Sequence, residues 1–475
     1  MSSSSSTTTS SNNDDNDVLF SNEGMARLIQ LNRPKKLNSL NTSMVNKITP
    51  RLLEYGKSGV SNVIIMTSTS PKGLCAGGDV AECARQILEG NSGYASDFFQ
   101  QEYNLNYLTS TYAKPYIAYM NGITMGGGVG LSVHSPFRIA TETTKLAMPE
   151  MDIGFFPDVG TTFFLPRLDD YVGYYVALTG AILTGLDAYM LGFATHYIPS
   201  DRLATLTTRL GNLKPPVING SQTDDIILKN QSEYFTQVNQ VLEEFTNNKI
   251  PEDYKFPFTA DELTTIKNAF SKSTIGEVFQ ALTNDGSPFA LKTLDTLSKK
   301  PINSLKVALE LLHVGSKNTI KKQFETELIA ATNLMNVKPE DSDFVIGVKH
   351  KLIDKVKEPF YPQWTKPLPE EKIKKYLEES INTVKLESPL INSFYNLNFK
   401  QYPHHMGLPT VEQVKAFITG NDGSGRSYLP TPKEVINHFK QKTNNKLGVA
   451  LKIESVLKVH GETSKYDDKY VSWKA

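Results

Sequence analysis

Two glycine turns constrain this chain more than any other feature, because each joins a strand-like segment to a helix-like one. The first, at 77–78, lies between an apolar strand predicted at 63–66 and a helix predicted from about Val80. The second, at 126–128, follows a strand predicted at 115–121. Glycine lets another molecule approach the backbone closely and leaves amide N–H groups directed outward. Two such turns can together offer two N–H donors to the oxygen of an acyl group, as an oxyanion hole does.

Two other interpretations of these turns compete with an oxyanion hole. A dinucleotide or phosphate loop is disfavoured, because Leu131 stands where G-x-G-x-x-G needs its last glycine and no G-x-x-x-x-G-K-[ST] motif occurs. A purely structural pair of turns remains open. No G-x-S-x-G elbow occurs, and Cys75 has no evident base beside it, so neither feature indicates a nucleophile.

Three carboxylates have apolar neighbours, either in the sequence or on a predicted helix face. Glu150 follows a proline, and Asp158 follows two phenylalanines and a proline. Glu102 falls near the middle of the apolar arc of a helix predicted at 97–108. Carboxylates in such surroundings are candidates for raised pKa values and for acid–base chemistry or activation of a water. The alternatives are a helix cap or salt bridge for Glu150 and Asp158, and a partly exposed position for Glu102.

The composition indicates a soluble globular protein of two or three units, since 475 residues exceed one ordinary small domain. Lys+Arg and Asp+Glu balance at 50 each, which gives no whole-chain attraction to nucleic acid or to an anionic membrane. No apolar run is long enough to span a bilayer. The two cysteines, Cys75 and Cys83, indicate a reducing compartment. The eight histidines lack metal-ligand spacing, so no metal is expected, and His134 is interpreted as a core residue.

Four segments are predicted along the chain. Residues 1–17 are polar and of low complexity, which predicts disorder, and they fit neither a secretory signal nor a mitochondrial transit peptide. Residues 18–365 form the compact part, and residues 366–390 form a charged linker. Residues 391–475 form a small helical C-terminal extension. Two helices are predicted within the extension, at 410–419 and 432–439.

Four motifs stand out by their order and spacing: LNRPKKLNSLN (31–41), GLCAGGD (73–79), NGITMGGGVGLSVH (121–134) and AMPEMDIGFFPDVG (147–160). They resemble the enoyl-CoA hydratase/isomerase, or crotonase, superfamily, and within it the 3-hydroxyisobutyryl-CoA hydrolase family in its fungal, mitochondrial branch. The resemblance extends over residues 18–365. It implies an α/β fold, a right-handed spiral of ββα turns followed by helices, and an acyl-CoA substrate that needs no separate cofactor.

The resemblance also implies roles for individual residues. The backbone N–H groups of Gly78 and Gly127 would form the oxyanion hole, and Glu102, Glu150 and Asp158 would contact the substrate. Hydratases of the superfamily carry a second catalytic glutamate at position 130, where this chain has glycine. Since hydration needs two carboxylates that cooperate on one water, ordinary hydratase activity is disfavoured. Asp158 stands where hydratases usually have a small residue, and it suits a hydrogen bond to a 3-hydroxyl group.

The resulting hypothesis is hydrolysis of 3-hydroxyisobutyryl-CoA to CoA and 3-hydroxyisobutyrate, a step of valine breakdown. Glu150 would attack the thioester or activate water, and Asp158 would orient the 3-hydroxyl group and help proton transfer. Glu102 would position water or substrate. The ADP part of CoA would lie near a basic loop formed by Arg33, Lys35 and Lys36.

Two alternative functions stay in view. One is a related acyl-CoA hydratase or isomerase, against which Gly130 argues. The other is a protein that keeps the fold but acts as a scaffold in a larger mitochondrial assembly through residues 391–475. The resemblance predicts a mitochondrial location, with the cytosol as the alternative because of the atypical N-terminus. Apart from the acyl-CoA substrate, the expected partner is a second copy of the chain, with no nucleic acid and no membrane.

Overall fold

The computed structural model describes residues 16–215, 224–247, 249–357, 361–380, 384–386, 398–464 and 467–474. Short strands follow one another along the first 200 residues, and a hairpin lies near the C-terminus. The strands are β1 Val18–Glu23, β2 Ala26–Leu31, β3 Val63–Ser68, β4 Gly73–Cys75, β5 Tyr116–Met120, β6 Ile123–Met125, β7 Phe137–Ala140, β8 Lys145–Ala147, β9 Leu183–Thr184, β10 His196–Tyr197, β11 Gly461–Thr463 and β12 Val471–Trp473.

Two sheets form the centre of the molecule. The larger has the strand order β1-β2-β3-β5-β7-β10, and the smaller has the order β4-β6-β8-β9. Successive strands from β2 to β10 in the larger sheet pair in parallel, as do β4, β6 and β8 in the smaller one. The chain therefore places one strand in each sheet per turn, as β3 and β4, β5 and β6, then β7 and β8. This arrangement confirms the predicted spiral of ββα turns.

Helices close each turn of the spiral and make up most of the chain beyond residue 200. Their bounds are α1 Thr42–Lys57, α2 Val80–Leu88, α3 Ser92–Ser110, α4 Gly127–Val133, α5 Thr161–Phe164, α6 Val172–Thr179, α7 Gly185–Met190, α8 Leu203–Gly211, α9 Asp224–Glu244, α10 Ala260–Phe270, α11 Ile275–Asp285, α12 Pro288–Ser298, α13 Ile302–Gly315, α14 Ile320–Met335, α15 Asp343–Val348, α16 Glu370–Lys375, α17 Val411–Thr419, α18 Pro432–Lys442 and α19 Val449–His460. Among the described residues, no helix is both long and apolar enough to cross a bilayer.

Local sequence explains where several of these helices begin. The side chain of Asn41 accepts a hydrogen bond from the backbone N–H of Met44 and so caps α1. Thr410 forms a capping box at the start of α17, and Gly420 ends that helix in the left-handed conformation. The predicted bounds at 410–419 therefore lie within one residue of the observed helix. Helix α3 begins five residues before the predicted Asp97 cap, because its first turns are also packed against the core.

Helix α3 is the element that carries the site into the core. It packs against α1, α2 and α14. Most of its side chains from Ala95 onward are buried, including the polar Glu102 and Asn106. The alternative in which Glu102 lies at a partly exposed rim is therefore wrong, because both sides of this helix are covered. A carboxylate that is 2% exposed on such a helix needs a structural or chemical reason.

The segment boundaries differ from the sequence-based ones at two places. Asp17, assigned to the disordered tail, is buried, and its carboxylate accepts a hydrogen bond from Lys47 Nζ at 2.7 Å; residues 1–15 lie outside the described residues. The supposed linker contains α16, whose Ile373 is buried against the core. Lys306 Nζ also donates to the backbone oxygen of Leu368 at 2.9 Å. Most of the other described residues of 366–380 are exposed, so this part is a largely solvated helix that contacts the core at a few points.

The C-terminal extension packs on the same core as the spiral. Phe399, Leu408 and Val414 belong to one hydrophobic cluster with Phe163 and Phe324 of the compact part. The described part of the extension holds three helices, α17 to α19, and the antiparallel pair β11–β12. The sequence predicted the first two helices and missed the third helix and the hairpin. The extension is therefore continuous with the main core and is more than a loose appendage.

Candidate active site

The two glycine turns lie side by side at one edge of the smaller sheet. Strands β4 and β6 are parallel neighbours, so the turns that follow them emerge at the same edge. A Cβ built on Gly127 would lie 3.3 Å from the backbone nitrogen of Gly78, which shows how closely the turns approach. Gly77 and Gly126 have φ values of 122° and 48°, a region that L side chains rarely adopt. The backbone conformation therefore favours glycine at 77 and 126, and the lack of space favours it at 127.

The N–H groups of Gly78 and Gly127 have no hydrogen-bond acceptor within the described part of the chain. Gly127 is the first residue of α4, so its N–H lacks an intrahelical partner. Both residues line a cavity of about 150 Å³. Two N–H donors that face one cavity are the arrangement that an oxyanion hole requires.

Three carboxylates face the same cavity from three different elements. Glu102 comes from α3, Glu150 begins a short 3₁₀ turn after β8, and Asp158 lies in the loop before α5. Their exposed fractions are 2%, 6% and 5%. No ion pair or helix cap engages Glu150 or Asp158 among the described residues, which excludes the salt-bridge and cap alternatives there. One oxygen of Glu102 (Oε1) and one of Glu150 (Oε2) are buried without a hydrogen-bond partner in this part of the chain.

Burial sets the protonation of these groups. It raises the pKa of Glu102 and of Glu150 well above the ordinary value, and the charge of Asp158 raises both further. Burial also raises the pKa of Asp158 to about 7, while a hydrogen bond from Tyr103 opposes the rise. The three carboxyl groups therefore retain protons to a higher pH than ordinary carboxyl groups do. Such a site can both take a proton from water and return one to a leaving group.

The family model that describes enoyl-CoA hydratase/isomerase matches residues 26–377. The chain belongs to the enoyl-CoA hydratase/isomerase family. A solved family structure, carnitinyl-CoA dehydratase from Mycobacterium thermoresistibile, is 29% identical, with a TM-score of 0.65 over 79% of this chain and 99% of that one. The crotonase-like fold expected from the motifs is therefore confirmed.

Relatives with two different names are similar to this family member. The mitochondrial 3-hydroxyisobutyryl-CoA hydrolase of Homo sapiens is 38% identical over 372 residues, covering 77% of this chain and 87% of the relative. The Danio rerio hydrolase is 39% identical over 72% of this chain and 84% of its own length. The small ribosomal subunit protein mS47 of Neurospora crassa is 37% identical over 471 residues, covering 96% of this chain and 88% of the relative. That last alignment extends through the C-terminal extension.

The departure at Gly130 has a steric basis in this family member. A Cβ at position 130 would lie 2.6 Å from Cβ of Val159 and 3.1 Å from Nδ2 of Asn106. A glutamate side chain could not start from this backbone position unless the neighbouring loop moved. The second glutamate of hydratases is thus absent, and the space for it is filled.

The sequence analysis missed several residues that hold the site together. The hydroxyl of Tyr103 donates to Oδ2 of Asp158 at 2.8 Å. The carboxylate of Glu327, on α14, accepts from the backbone N–H groups of Gly160 at 2.6 Å and Thr162 at 3.0 Å. Tyr103 is adjacent to Glu102, and the position of Glu102 on an apolar helix face could have drawn attention to Tyr103. No sequence pattern indicates a role for Glu327, because its partners lie more than 160 residues away.

The basic loop predicted to hold the nucleotide of CoA does not line the cavity. Arg33 instead pairs with Asp79, with 3.2 Å between Nη2 and Oδ2. Lys35 and Lys36 are exposed. A pocket of about 330 Å³ adjoins the cavity, with Asp152 and Lys351 lining both. We call it the lysine pocket, after Lys299, Lys300, Lys351, Lys355 and Lys357 in its lining.

The described residues contain no group of three or more His, Cys, Asp or Glu side chains arranged to hold a metal ion. Cys75 and Cys83 are both buried, and burial raises the pKa of the Cys75 thiol to about 12. A thiol with so high a pKa is protonated at neutral pH and is a poor nucleophile. Neither cysteine lines the cavity of about 150 Å³.

Proposed function

We propose that this protein hydrolyses the thioester of 3-hydroxyisobutyryl-CoA to free CoA and 3-hydroxyisobutyrate. One observation carries the proposal. Two unpaired backbone N–H groups and three buried carboxylates face one cavity, and the position of a second hydratase glutamate is blocked. The identity to hydrolases named for this reaction supports the choice of substrate. The names of these hydrolases include the mitochondrion, which supports that location and gives no support to the cytosol. The pathway that we propose for the reaction is valine catabolism.

The thioester oxygen would accept hydrogen bonds from the N–H groups of Gly78 and Gly127. These donors are strongest when negative charge develops on that oxygen, so they favour the tetrahedral intermediate over the bound ester. Because the donors are backbone groups fixed by two tight turns, little reorganisation is needed during the reaction. This part of the mechanism needs no side chain.

Glu150 would act on the carbonyl carbon. Its Oε2 is buried and unpaired, and its Oε1 lies 2.8 Å from a Cβ built on Gly126, so the carboxyl group lies against the second glycine turn. Either the carboxylate attacks and forms an anhydride that water then cleaves, or it removes a proton from an attacking water. In both routes the C–S bond breaks, the hydroxyl of water joins the acyl carbon, and its proton reaches the thiolate of CoA.

Asp158 would bind the 3-hydroxyl group of the acyl chain. Its Oδ2 accepts a hydrogen bond from Tyr103, and a carboxylate has further lone pairs that can accept from the substrate. Glu102 would position water or substrate from the far side of the cavity. Since an alkyl thiolate is a good leaving group, the reaction needs little acid assistance, which fits a cavity that no histidine lines.

The nucleotide half of CoA has two candidate sites in this proposal. The lysine pocket adjoins the reaction cavity and carries five lysines in its lining with one carboxylate, Asp152. The loop of Arg33, Lys35 and Lys36 is the other candidate, although Arg33 is engaged by Asp79. Lys300 and Lys351 pair with Asp152, and Lys299 pairs with Asp295. Lys355 and Lys357 are exposed in the same pocket, and their charge next to the cavity favours the lysine pocket for the phosphates of CoA.

A second candidate function is membership of a mitochondrial small ribosomal subunit. One observation favours it: the relative named as such a protein aligns along the C-terminal extension, whereas the two hydrolases align with only 72% and 77% of the chain. The two functions are compatible in one molecule. Sedimentation of the tagged full chain from a mitochondrial extract tests this candidate. Migration of the protein with the small ribosomal subunit would support the ribosomal function. Migration only as free protein would exclude that function.

The enzymatic proposal is tested with a panel of CoA thioesters and the purified wild-type protein. Release of free CoA would be measured from 3-hydroxyisobutyryl-CoA and isobutyryl-CoA, and hydration of the double bond from crotonyl-CoA. We expect CoA release to be fastest with the 3-hydroxy substrate and hydration to be slower than either release. If hydration were faster than CoA release, the protein would act as a hydratase and the hydrolase proposal would be wrong. No turnover of any thioester would leave only the assembly function.

A further inference from the structure

The residue after Asp158 is held in an unfavourable backbone conformation. Val159 has a φ of 53°, in the left-handed region, where a β-branched side chain is rarely found. It is 1% exposed, and its side chain contacts Gly130 of α4. Such a conformation persists only if surrounding groups hold it. Because Val159 follows Asp158 directly, whatever holds its backbone also fixes the position of the Asp158 carboxylate.

Two buried side chains hold this backbone from opposite sides. Nε2 of His134 lies 2.8 Å from the carbonyl oxygen of Val159. The carboxylate of Glu327 accepts from the N–H of Gly160, the next residue along the chain. The carbonyl side of the Val159–Gly160 peptide is therefore bound by the histidine, and its N–H side is bound by the glutamate.

The histidine depends in turn on a tyrosine. Burial lowers the pKa of His134 to about 4, so the ring is neutral at physiological pH. A carbonyl oxygen can only accept, so Nε2 must carry the proton and Nδ1 must be the acceptor. The hydroxyl of Tyr402 lies 2.7 Å from Nδ1 and donates to it. Tyr402 thereby fixes both the tautomer and the orientation of the His134 ring.

Tyr402 belongs to the C-terminal extension, outside the residues 26–377 that match the family model. Its ring packs against Phe163 and Phe399, with centroid distances of 5.4 Å in both pairs. The Tyr402 ring therefore lies where the extension contacts the compact part. The hydroxyl makes the connection to His134, while the ring provides the packing.

We propose that Tyr402 and His134 are positioning residues for Asp158, so that the C-terminal extension sets the selectivity of the active site for 3-hydroxyacyl groups. The proposal rests on the proposed function, in which Asp158 binds the 3-hydroxyl group. The connection runs from the Tyr402 hydroxyl to Nδ1 of His134, and from Nε2 to the Val159 carbonyl beside Asp158. Loss of the first hydrogen bond lets the imidazole ring turn, and the loop of Asp158 loses its support.

The test uses Tyr402→Phe in the full chain, which keeps the packing of the ring and removes only the hydroxyl. The matched control is Tyr428→Phe, an exposed tyrosine of the same extension. Rates of CoA release would be measured with 3-hydroxyisobutyryl-CoA and with isobutyryl-CoA, which lacks the hydroxyl group. We expect Tyr402→Phe to lower kcat/KM about tenfold for the hydroxylated substrate and less than about twofold for the other. A residue with a merely structural role would lower both equally.

A second measurement does not depend on turnover. Hydrogen exchange of the backbone amides at 158–162 should be faster in Tyr402→Phe than in wild type and unchanged in the control variant. Unchanged exchange in Tyr402→Phe, or an equal loss of activity with both substrates, overturns the proposal. If the wild-type protein hydrolyses neither thioester, the proposed function fails, and the exchange data alone decide whether the extension holds the Asp158 loop.

Discussion

The hydroxyl of Tyr103 donates a hydrogen bond to Oδ2 of Asp158 at 2.8 Å. The two residues are 55 positions apart, and the bond ties α3 to the loop before α5. It brings the carboxylate of Asp158 into the same cavity as Glu102, the neighbour of Tyr103 on α3. Since the buried carboxyl groups of Glu102, Glu150 and Asp158 repel one another when ionised, holding them together lowers the stability of the fold.

Asp158→Asn should stabilise the protein, and more so at high pH. The pKa of Asp158 is about 7 in the folded protein and about 3.9 when unfolded. Because the folded pKa is the higher one, wild-type stability falls as pH rises from about 4 to about 7, and the penalty is full above that range. The variant lacks this penalty. We expect its Tm to exceed that of wild type by about 3 °C at pH 8 and by less at pH 5.

Thermal unfolding monitored by circular dichroism at both pH values checks this prediction. Asp253→Asn, at an exposed aspartate, is the matched control and should leave Tm unchanged at both. A variant of Asp158 that is less stable than wild type at pH 8 would mean that the carboxylate is stabilised by its surroundings. The same variant should also lose its preference for 3-hydroxyacyl-CoA.

Gly127→Ala should abolish most of the activity without preventing binding of CoA. A Cβ at this position would lie 2.5 Å from Oε1 of Glu102 and 3.3 Å from the nitrogen of Gly78. The two donors would be forced apart, and loss of one oxyanion donor costs about 100-fold or more in kcat. Gly59→Ala is the control, since nothing lies within 4 Å of a Cβ there. A Gly127→Ala variant with wild-type kcat would show that the turn does not bind the thioester oxygen.

The double variant Lys355→Gln, Lys357→Gln should raise KM for the CoA thioester about tenfold. Both lysines are exposed in the lysine pocket, so their loss should remove contacts with phosphate and leave the fold intact. The N-acetylcysteamine thioester of the same acid has no nucleotide, and its KM should not change. Arg33→Gln provides the comparison. If only Arg33→Gln raised KM for the CoA thioester, the nucleotide would bind at the basic loop.

The elements that could be predicted from sequence are those set by local pattern. The strand and helix units around the two glycine turns follow from short apolar runs and from glycine itself. Glu102 stands out in the sequence because its spacing puts a carboxylate on an apolar helix face. Glu150 and Asp158 stand out because both lie within the short motif at 147–160, beside proline and aromatic residues. These features depend on residues close together in the chain.

The supporting contacts could not be predicted, because they join residues far apart in the chain. Glu327 reaches Gly160 across 167 positions, and Tyr402 reaches His134 across 268. The interpretation of His134 as a core histidine is confirmed, but the sequence does not identify its partners. The basic loop at Arg33 looks available for phosphate because the sequence does not show that Asp79 pairs with it. Long-range partners decide which charged groups remain available for a ligand.

The most direct test of the account is CoA release from 3-hydroxyisobutyryl-CoA by wild type and by Glu150→Gln, with the exposed Glu89→Gln as control. Glutamine keeps the size of the side chain but can neither attack the thioester nor remove a proton from water. The account predicts a loss of about 100-fold or more in kcat for Glu150→Gln, with KM nearly unchanged, and wild-type rates for the control. Release of CoA by Glu150→Gln at a rate close to that of wild type would contradict it.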